Sequence, residues 1–268
     1  MFTDETGIAV TADAAKNRLA RIRNAPDGEA VSVVSDTERQ LRQSLDRTLR
    51  QLSEAKAKKA DLVDAVYRAA WDATSTLVME PVPEPIWDMS PGKDETAVAV
   101  LSDWQLAKVT PSYNSKVCEE RVRLYGDKVI RLANIQRADH PVRDLHVWLL
   151  GDLVEGELIF PGQSHLIDAS LYQQMVVDGP RILGDFLRKM LANFERVHVT
   201  AVIGIHGRLG GRSSRDYNPE SNADRMLYRI VQQLLAGESR LTWDIPDGAG
   251  ESKWYAIDRI GNYSCLLF

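Results

Sequence analysis

Three short apolar segments, each ending in a polar loop, constrain the fold of this chain more than any other feature. The clearest is 145–157 (LHVWLLGDLVEGE), where a run with the length and composition of a buried strand breaks at Gly151-Asp152. Two segments follow the same plan: 96–102 (TAVAVLS) precedes Asp103-Trp104-Gln105, and 197–203 (VHVTAVI) precedes the loop GIHGR. Because ligands collect at the carboxyl ends of strands in open α/β sheets, the pattern predicts one site built from three loops.

Segments with strand and helix character alternate from residue 95 onwards. The predicted strands are 96–102, 144–150 and 197–203, and the predicted helices are 115–138, 168–194 (interrupted at Gly179-Pro180) and 219–236. Such alternation favours an α/β fold with a mixed, largely parallel sheet and flanking helices. Three later strand-like segments, 239–244, 253–258 and 262–268, are separated by turn residues and are predicted to be antiparallel.

The N-terminal part of the chain has a different pattern. Residues 1–35 are small and polar and are expected to be loosely ordered, whereas 36–79 have the alternating four- and three-residue apolar spacing of a long helix with a basic first half. Three roles stay open for this helix: weak self-association as a coiled coil through 41–77, packing on its own domain, or contact with DNA. The proline-rich segment 80–94 predicts a semi-rigid linker before a domain at 95–268.

Composition narrows the class of protein. The 268 residues carry a net charge of −5, which argues against a generally basic nucleic-acid-binding protein but leaves room for a local basic patch. The two cysteines form no CxxC pair, which favours a reducing, cytoplasmic environment. Since no apolar run approaches the roughly 18 residues of a membrane span, we expect a protein that does not enter a membrane.

Asp103, Asp152 and His206 are the strongest candidates for chemistry, because each follows one of the three predicted strands. Two carboxylates brought together repel each other unless a cation lies between them. Oxygen ligands favour Mg²⁺ or Mn²⁺, and added imidazole and amide ligands shift the preference towards Mn²⁺, Fe or Zn²⁺. Two such ions about 3.5–4 Å apart would hold a phosphate and activate a bridging water.

The motifs Ser102-Asp103-Trp104-Gln105, Gly151-Asp152 and Gly204-Ile205-His206-Gly207-Arg208 resemble the first three motifs of the calcineurin-like metallophosphoesterases. The resemblance covers roughly 95–268 and is closest to phage-encoded members, which are related to the nuclease subunits of double-strand-break repair complexes. It implies a metallophosphoesterase sandwich and metal-dependent phosphodiester hydrolysis, with DNA as the expected substrate. The implied ion is Mn²⁺, with Mg²⁺, Fe or Zn²⁺ as alternatives, and the implied location is the cytoplasm of a bacterial host.

The resemblance also assigns roles to individual residues. It implies that Asp103 binds a first metal ion, that Gln105 weakly completes that site, and that Asp152 bridges two ions. His206 would be the catalytic general acid that protonates the leaving oxygen.

Two departures from the family pattern affect the second metal ion. Ile205 occupies the position of the family's metal-binding asparagine, and the later His-Gly-Asp and Gly-x-His motifs have no counterpart before Phe268. We therefore expect at most one firmly held ion, with Glu155 or His165 as the substitute ligands if there are two. We also expect either a native gene product that continues past Phe268 or a partner chain that supplies the missing ligands.

The glycine- and serine-rich loop after His206 carries three arginines that are candidates for binding substrate phosphate: Arg208, Arg212 and Arg215. Arginine forks bind phosphate oxygens in pairs, and glycine lets backbone amides approach as well. The alternative is a solvated loop without a ligand. Lys108 and Tyr113, after the first motif, are candidates for lining the same groove.

The remaining polar residues near the motifs receive structural or surface assignments. Glu155 and Glu157 are interpreted as surface residues, and His165 as a weaker candidate ligand. Three further histidines are interpreted as structural: His140, His146 and His198.

Two functions are compatible with these patterns. One is a metal-dependent phosphodiesterase that acts on DNA, favoured by Asp103, Asp152, His206 and the arginine loop. The other is a catalytically impaired scaffold that binds nucleic acid or assembles through its N-terminal helix, favoured by Ile205 and the absent later motifs.

Overall fold

The computed structural model describes residues 79–157, 159–209, 221–246 and 254–268, together with residues 2–3, 9–10, 65, 67–68 and 70–71. The chain divides into two units, residues 1–59 and residues 60–268. In the first unit, β1 (Phe2–Thr3) pairs antiparallel with β2 (Ala9–Val10). The sequence predictions for the rest of 1–35, for most of the helix at 36–79, and for Arg212 and Arg215 lie outside the described residues.

A four-stranded parallel sheet forms the centre of the second unit. Its strands, in spatial order, are β3 (Glu95–Leu101), β4 (Val142–Leu149), β5 (Arg196–Ala201) and β6 (Leu241–Asp244). The connections contain α1 (Ser115–Gln136), a π-helical segment (Gln173–Asp178) that runs into α2 (Gly179–Leu191), and α3 (Ala223–Leu234). Because the strand order follows the chain and parallel crossovers are right-handed, the helices lie on one face of the sheet.

The main hydrophobic core lies between the sheet and these helices. Leu145 and Leu149 of β4 are fully buried there, in the same cluster as Leu183 and Leu187 of α2. Since side chains alternate along a strand, Val147 faces the same core, whereas His146 and Trp148 face away from the helices. The α/β class with a largely parallel sheet is therefore confirmed.

The three C-terminal strands do not form one antiparallel group. β6 is the fourth strand of the parallel sheet, so the prediction that 239–244 is antiparallel is wrong, because α3 returns the chain to the end of the sheet where β5 began. The other two strands, β7 (Ala256–Ile260) and β8 (Tyr263–Leu267), form an antiparallel hairpin as predicted. This hairpin contacts the face of the sheet opposite the helices.

The predicted interruption at Gly179-Pro180 is a change of helix type. The backbone N–H of Gly179 donates to the carbonyl of Gln174, five residues back, and regular α-helix begins at Gly179. Proline cannot donate a backbone hydrogen bond, and the wider turns before it accommodate that loss without ending the helix.

The proline-rich segment before β3 is fastened to the domain instead of forming a free linker. The N–H of Val82 donates to Glu238 Oε1 at 2.7 Å. Asp88 is buried, accepts the N–H of Val142 at 2.8 Å and pairs with Arg137 Nε at 3.2 Å. The segment therefore belongs to the same unit as the sheet.

The described part of the long N-terminal helix also packs on this unit. Residues 65, 67, 68, 70 and 71 are helical, Ala70 is buried, and Tyr67 packs against the main core. This end of the helix therefore packs on its own domain, which is one of the three roles considered above. Among the described residues, no helix has the length and apolar content needed to cross a bilayer.

Candidate active site

The three sequence motifs meet at the carboxyl edge of the sheet, where β3, β4 and β5 end. The backbone N–H of Asp103 donates to the carbonyl of Gly151 at 3.2 Å, and the N–H of Gln105 donates to the carbonyl of Asp152 at 3.0 Å. The third loop joins them because the N–H of His206 donates to Asp152 Oδ1 at 2.8 Å. The fold thus connects the three predicted loops by direct hydrogen bonds.

The backbone at this edge is strained. Four non-glycine residues among those described have positive φ, namely Asp103 (53°), Gln105 (45°), Ala107 (80°) and Asp152 (53°), and all four lie in the first two motif loops. A side chain in this region costs roughly 1–3 kcal/mol, and such residues cluster at functional sites. The strain thus coincides with three of the residues that the sequence motifs select.

Two glycines make the close approach of the loops possible. A Cβ on Gly151, where φ is +81°, would lie 2.3 Å from the backbone nitrogen of Gly204. A Cβ on Gly204 would lie 2.1 Å from Asp152 Oδ1. Any side chain at either position would therefore displace the Asp152 carboxylate or the loop that carries it.

Asp224, in the first turn of α3, holds two of the loops in place. Its fully buried carboxylate accepts backbone N–H bonds from Asp152 (3.0 Å), Leu153 (3.0 Å), Val154 (3.2 Å) and Gly204 (3.1 Å). Burial raises the pKa of Asp224 to about 6, against the lowering effect of these amides. One buried acid therefore fixes the turns that follow β4 and β5.

His206 is buried against Glu155, which the sequence analysis interpreted as a surface residue. The Nδ1 atom of His206 lies 3.0 Å from the Glu155 carbonyl oxygen and 3.2 Å from its Oε2 atom, and the ring packs edge-on against Phe160. Glu155 is only 6% exposed, so the surface assignment is wrong. The hydrogen bond to Glu155 raises the pKa of His206, which favours the protonated imidazole that a general acid requires.

The His206–Glu155 pair should make the free energy of unfolding fall at both the acidic and the basic end of a pH window. The raised pKa of His206 gives stability that is complete below pH 6.5 and lost as pH rises through the folded-state value. Burial raises the pKa of Glu155, but bonds from His206 and Gln163 outweigh it, so the stability from Glu155 is present above pH 4.5 and lost as pH falls. Urea unfolding across this range should show Glu155→Gln losing on the order of 1–2 kcal/mol at about pH 6.

The matched control for that measurement is Glu157→Gln. Glu157 is half-exposed and, within the described part of the chain, accepts only the backbone N–H of Leu171, a bond that glutamine preserves. A pH profile of Glu155→Gln that parallels the wild type above pH 6.5 would contradict the coupling of Glu155 to His206.

A cleft of about 410 Å³ opens beside Asp103 and Gln105. Lys108 and Tyr113 line it together with Arg121 of α1. The Lys108 Nζ atom donates to Gln105 Oε1 at 2.6 Å, so the amide oxygen of Gln105 faces a cation in this structure. The cleft therefore combines one carboxylate, Asp103, with two cationic side chains.

The other predicted residues lie around the site without converging on it. Ile205 is 49% exposed, and His165 lies on the exposed surface of a short 3₁₀ turn (Gln163–His165). Arg208 is half-buried and pairs through its backbone with Asn222. Glu157 is half-exposed.

Oxygen ligands for a metal ion are present at this edge. Asp103 accepts the hydroxyl of Ser102 and Asp152 accepts the N–H of His206, each through one oxygen, which leaves each a second carboxylate oxygen. Among the described residues, no three His, Cys, Asp or Glu side chains at this edge bring their ligand atoms within 4.8 Å of one another. Carboxylate oxygens are the ligands that Mg²⁺ and Mn²⁺ prefer, and the described residues of this edge do not form a closed two-ion centre.

Sequence reasoning missed two residues that shape this site, Asp224 and Arg121, and misassigned Glu155 to the surface. Only Asp224 has a local signal, because Asn222 caps α3 by accepting the N–H of Asp224 at 2.8 Å, and an Asn–x–Asp start is typical of a helix N-terminus. Glu155 and Arg121 are brought to the site by tertiary packing.

Comparisons of the chain with protein-family models, with curated proteins and with solved structures give no significant match.

Proposed function

We propose that this protein is a metal-dependent phosphodiesterase of the calcineurin-like metallophosphoesterase type, acting on DNA at the carboxyl edge of its sheet. Asp103 and Asp152 hold the ion, with Gln105 as a weak additional ligand. When bound, a Mn²⁺-type ion supplies a Lewis acid and a nucleophilic water. His206 donates a proton to the leaving oxygen, and Glu155 keeps that imidazole oriented and protonated.

One observation carries the proposal: the strained backbone at Asp103, Gln105 and Asp152, at the ends of adjacent parallel strands. If Asp103 and Asp152 only faced solvent, positive φ in their two neighbouring loops would cost free energy without any compensating interaction. A carboxylate that must point in one direction to bind an ion explains a strain of roughly 1–3 kcal/mol per residue.

The charges around the cleft suit a phosphodiester. Lys108 and Arg121 line the cleft beside Asp103, and guanidinium and ammonium groups bind phosphate oxygens. Arg208 follows His206 on the same loop, and Arg212 and Arg215 are proposed to extend this phosphate-binding set. The net charge of −5 makes such a local cationic patch necessary for any binding of nucleic acid.

The test is hydrolysis by the metal-stripped chain after addition of Mn²⁺ or Mg²⁺. The substrates are bis(p-nitrophenyl) phosphate, single-stranded DNA and duplex DNA, with excess chelator as the blank. We expect Mn²⁺-dependent cleavage that chelator abolishes. Absence of cleavage with every divalent ion would favour the impaired scaffold, which the exposed Ile205 in the asparagine position also favours.

We further propose that the protein self-associates through the helix at 41–77. The double variant Leu45→Asp with Leu52→Asp should convert the associated species into monomer, because both leucines belong to the alternating four- and three-residue apolar spacing of this helix. The measurement is sedimentation velocity at tens of micromolar protein. Gln43→Asp with Arg50→Asp, on the opposite side of the helix, is the control. A wild-type monomer would leave packing on the domain as the helix's only role.

A further inference from the structure

The face of the sheet opposite the helices carries a second cluster of metal-ligand side chains. His146 of β4 and His198 of β5 are register partners, and Asp258 of β7 lies beside them. One ligand atom from each residue lies within 4.8 Å of the other two, and within the described part of the chain this is the one such group of His, Cys, Asp and Glu. The sequence analysis interpreted both histidines as merely structural.

The three side chains already point their ligand atoms at one another. His146 Nδ1 lies 2.7 Å from Asp258 Oδ2, and His198 Nε2 lies 3.8 Å from Asp258 Oδ1. The side chain of Asp258 is only 2% exposed, and its ion-pair partners among the described residues are these two imidazoles. A buried carboxylate requires a compensating charge, and a divalent ion held between it and the two imidazoles would supply one.

A second layer of hydrogen bonds orients the cluster. The Oγ1 atom of Thr242 lies 2.8 Å from His198 Nδ1, which leaves His198 Nε2 directed at Asp258. The indole N–H of Trp148 donates to Asp258 Oδ2. Metal-ligating histidines are held in this way, with the remote nitrogen bonded to a neighbouring group.

The cluster is also accessible. A cleft of about 500 Å³ is lined by His146, His198, Asp258, Thr242 and Arg259. An ion can enter through this cleft, and water can occupy a fourth coordination position. Binding would also strengthen the attachment of the β7–β8 hairpin, because the described residues provide three buried members of the apolar contact beneath it: Val202, Ala256 and Leu267.

We propose that His146, His198 and Asp258 bind one Zn²⁺-type ion that fastens the β7–β8 hairpin to the sheet. Two imidazoles and a carboxylate suit Zn²⁺ in tetrahedral geometry, which places ligand atoms roughly 3.3 Å apart. The 2.7 Å contact between His146 Nδ1 and Asp258 Oδ2 must open by about half an ångström to admit the ion. The proton on His146 Nδ1 moves to Nε2 of the neutral ring, or to solvent if the ring is doubly protonated.

This site is separate from the carboxyl edge. His146 lies three residues before Leu149, the last residue of β4, which is about 10 Å along the strand. The two sites also differ in chemistry, since nitrogen ligands select Zn²⁺ and the oxygen-only edge selects Mg²⁺ or Mn²⁺. An ion on the outward face is therefore independent of phosphodiesterase activity.

The experiment is a Zn²⁺ and Co²⁺ titration of metal-stripped protein in the Asp103→Asn, Asp152→Asn background, so that an ion at the carboxyl edge does not contribute. We expect one ion per chain, the visible bands of tetrahedral Co²⁺, and a rise of about 5 °C in Tm at saturating Zn²⁺. Adding Asp258→Asn should weaken Zn²⁺ affinity by on the order of 100-fold or more, and Thr242→Val by about 10-fold. Asparagine at 258 can still accept the Trp148 N–H, which protects the fold of that variant.

The matched control is His165→Ala, which removes an exposed imidazole outside the cluster and should leave Zn²⁺ affinity unchanged. Unchanged affinity in both His146→Ala and Asp258→Asn would overturn the proposal. So would a folded parent protein, verified by near-ultraviolet circular dichroism, that binds no Zn²⁺ at all.

Discussion

Replacing Asp152 with asparagine is expected to lower the rate of Mn²⁺-dependent phosphodiester hydrolysis by about a thousandfold. A metal ion contributes several kcal/mol of transition-state stabilisation, and about 4 kcal/mol corresponds to three powers of ten in rate. Asparagine keeps an oxygen that can accept the N–H of His206, so the loop geometry should persist while the negative charge is lost. Asp103→Asn should have a comparable effect, because it removes the only other carboxylate proposed to hold the ion.

The control for charge and expression is Asp139→Asn, an exposed acid in the turn after α1. It removes the same charge at a distance from the carboxyl edge and should leave the rate within twofold. The measurement is the initial rate on bis(p-nitrophenyl) phosphate at saturating Mn²⁺. If Asp152→Asn keeps the wild-type rate while Asp139→Asn also does, Asp152 is not a metal ligand.

The strand ends were predictable from sequence because they depend on local patterns. The apolar run before Gly151-Asp152 indicates a strand, and the glycine indicates where that strand ends. The three motif loops meet at one edge of the sheet. Parallel pairing of the first three strands then follows from the alternation with helices, whereas β6, predicted to be antiparallel, is parallel because α3 precedes it.

Burial of polar residues was not predictable in the same way. Glu155 looks like a solvated acid in the sequence, and only the packing of the β4 and β5 loops places it against His206. His146 and His198 each look like a polar position on a half-exposed strand, and the hairpin that brings Asp258 to them lies more than fifty residues further along the chain. Such long-range contacts leave no local period for a sequence pattern to record.

The proline-rich segment illustrates a different limit. Its composition predicts stiffness, but composition says nothing about attachment. Asp88 and Val82 fasten it to the β4 start and to Glu238, contacts separated by fifty or more residues. A segment that appears to separate two domains is instead part of one unit.

Asp224→Ala is expected to destabilise the domain by on the order of 4 kcal/mol. The substitution removes the acceptor of four backbone N–H groups in two loops that are buried or nearly so. Each buried donor left unpaired costs roughly 1–3 kcal/mol, and entry of water recovers part of the sum. Denaturant unfolding measures the loss, and Asp168→Ala, which removes an exposed acceptor for the N–H of Ser115, should cost no more than about 1 kcal/mol.

The pH dependence of the unfolding free energies of wild type and Asp224→Ala shows whether burial or the amide donors control the Asp224 carboxylate. Burial raises the pKa of Asp224 from 3.8 to about 6, so the folded state binds this proton more tightly than the unfolded state. The contribution of Asp224 to wild-type stability is therefore complete below pH 3.8 and falls as pH rises through about 6. The gap between wild type and Asp224→Ala should narrow over that range, whereas a gap that widens with pH would mean that the amide donors, and not burial, control this carboxylate.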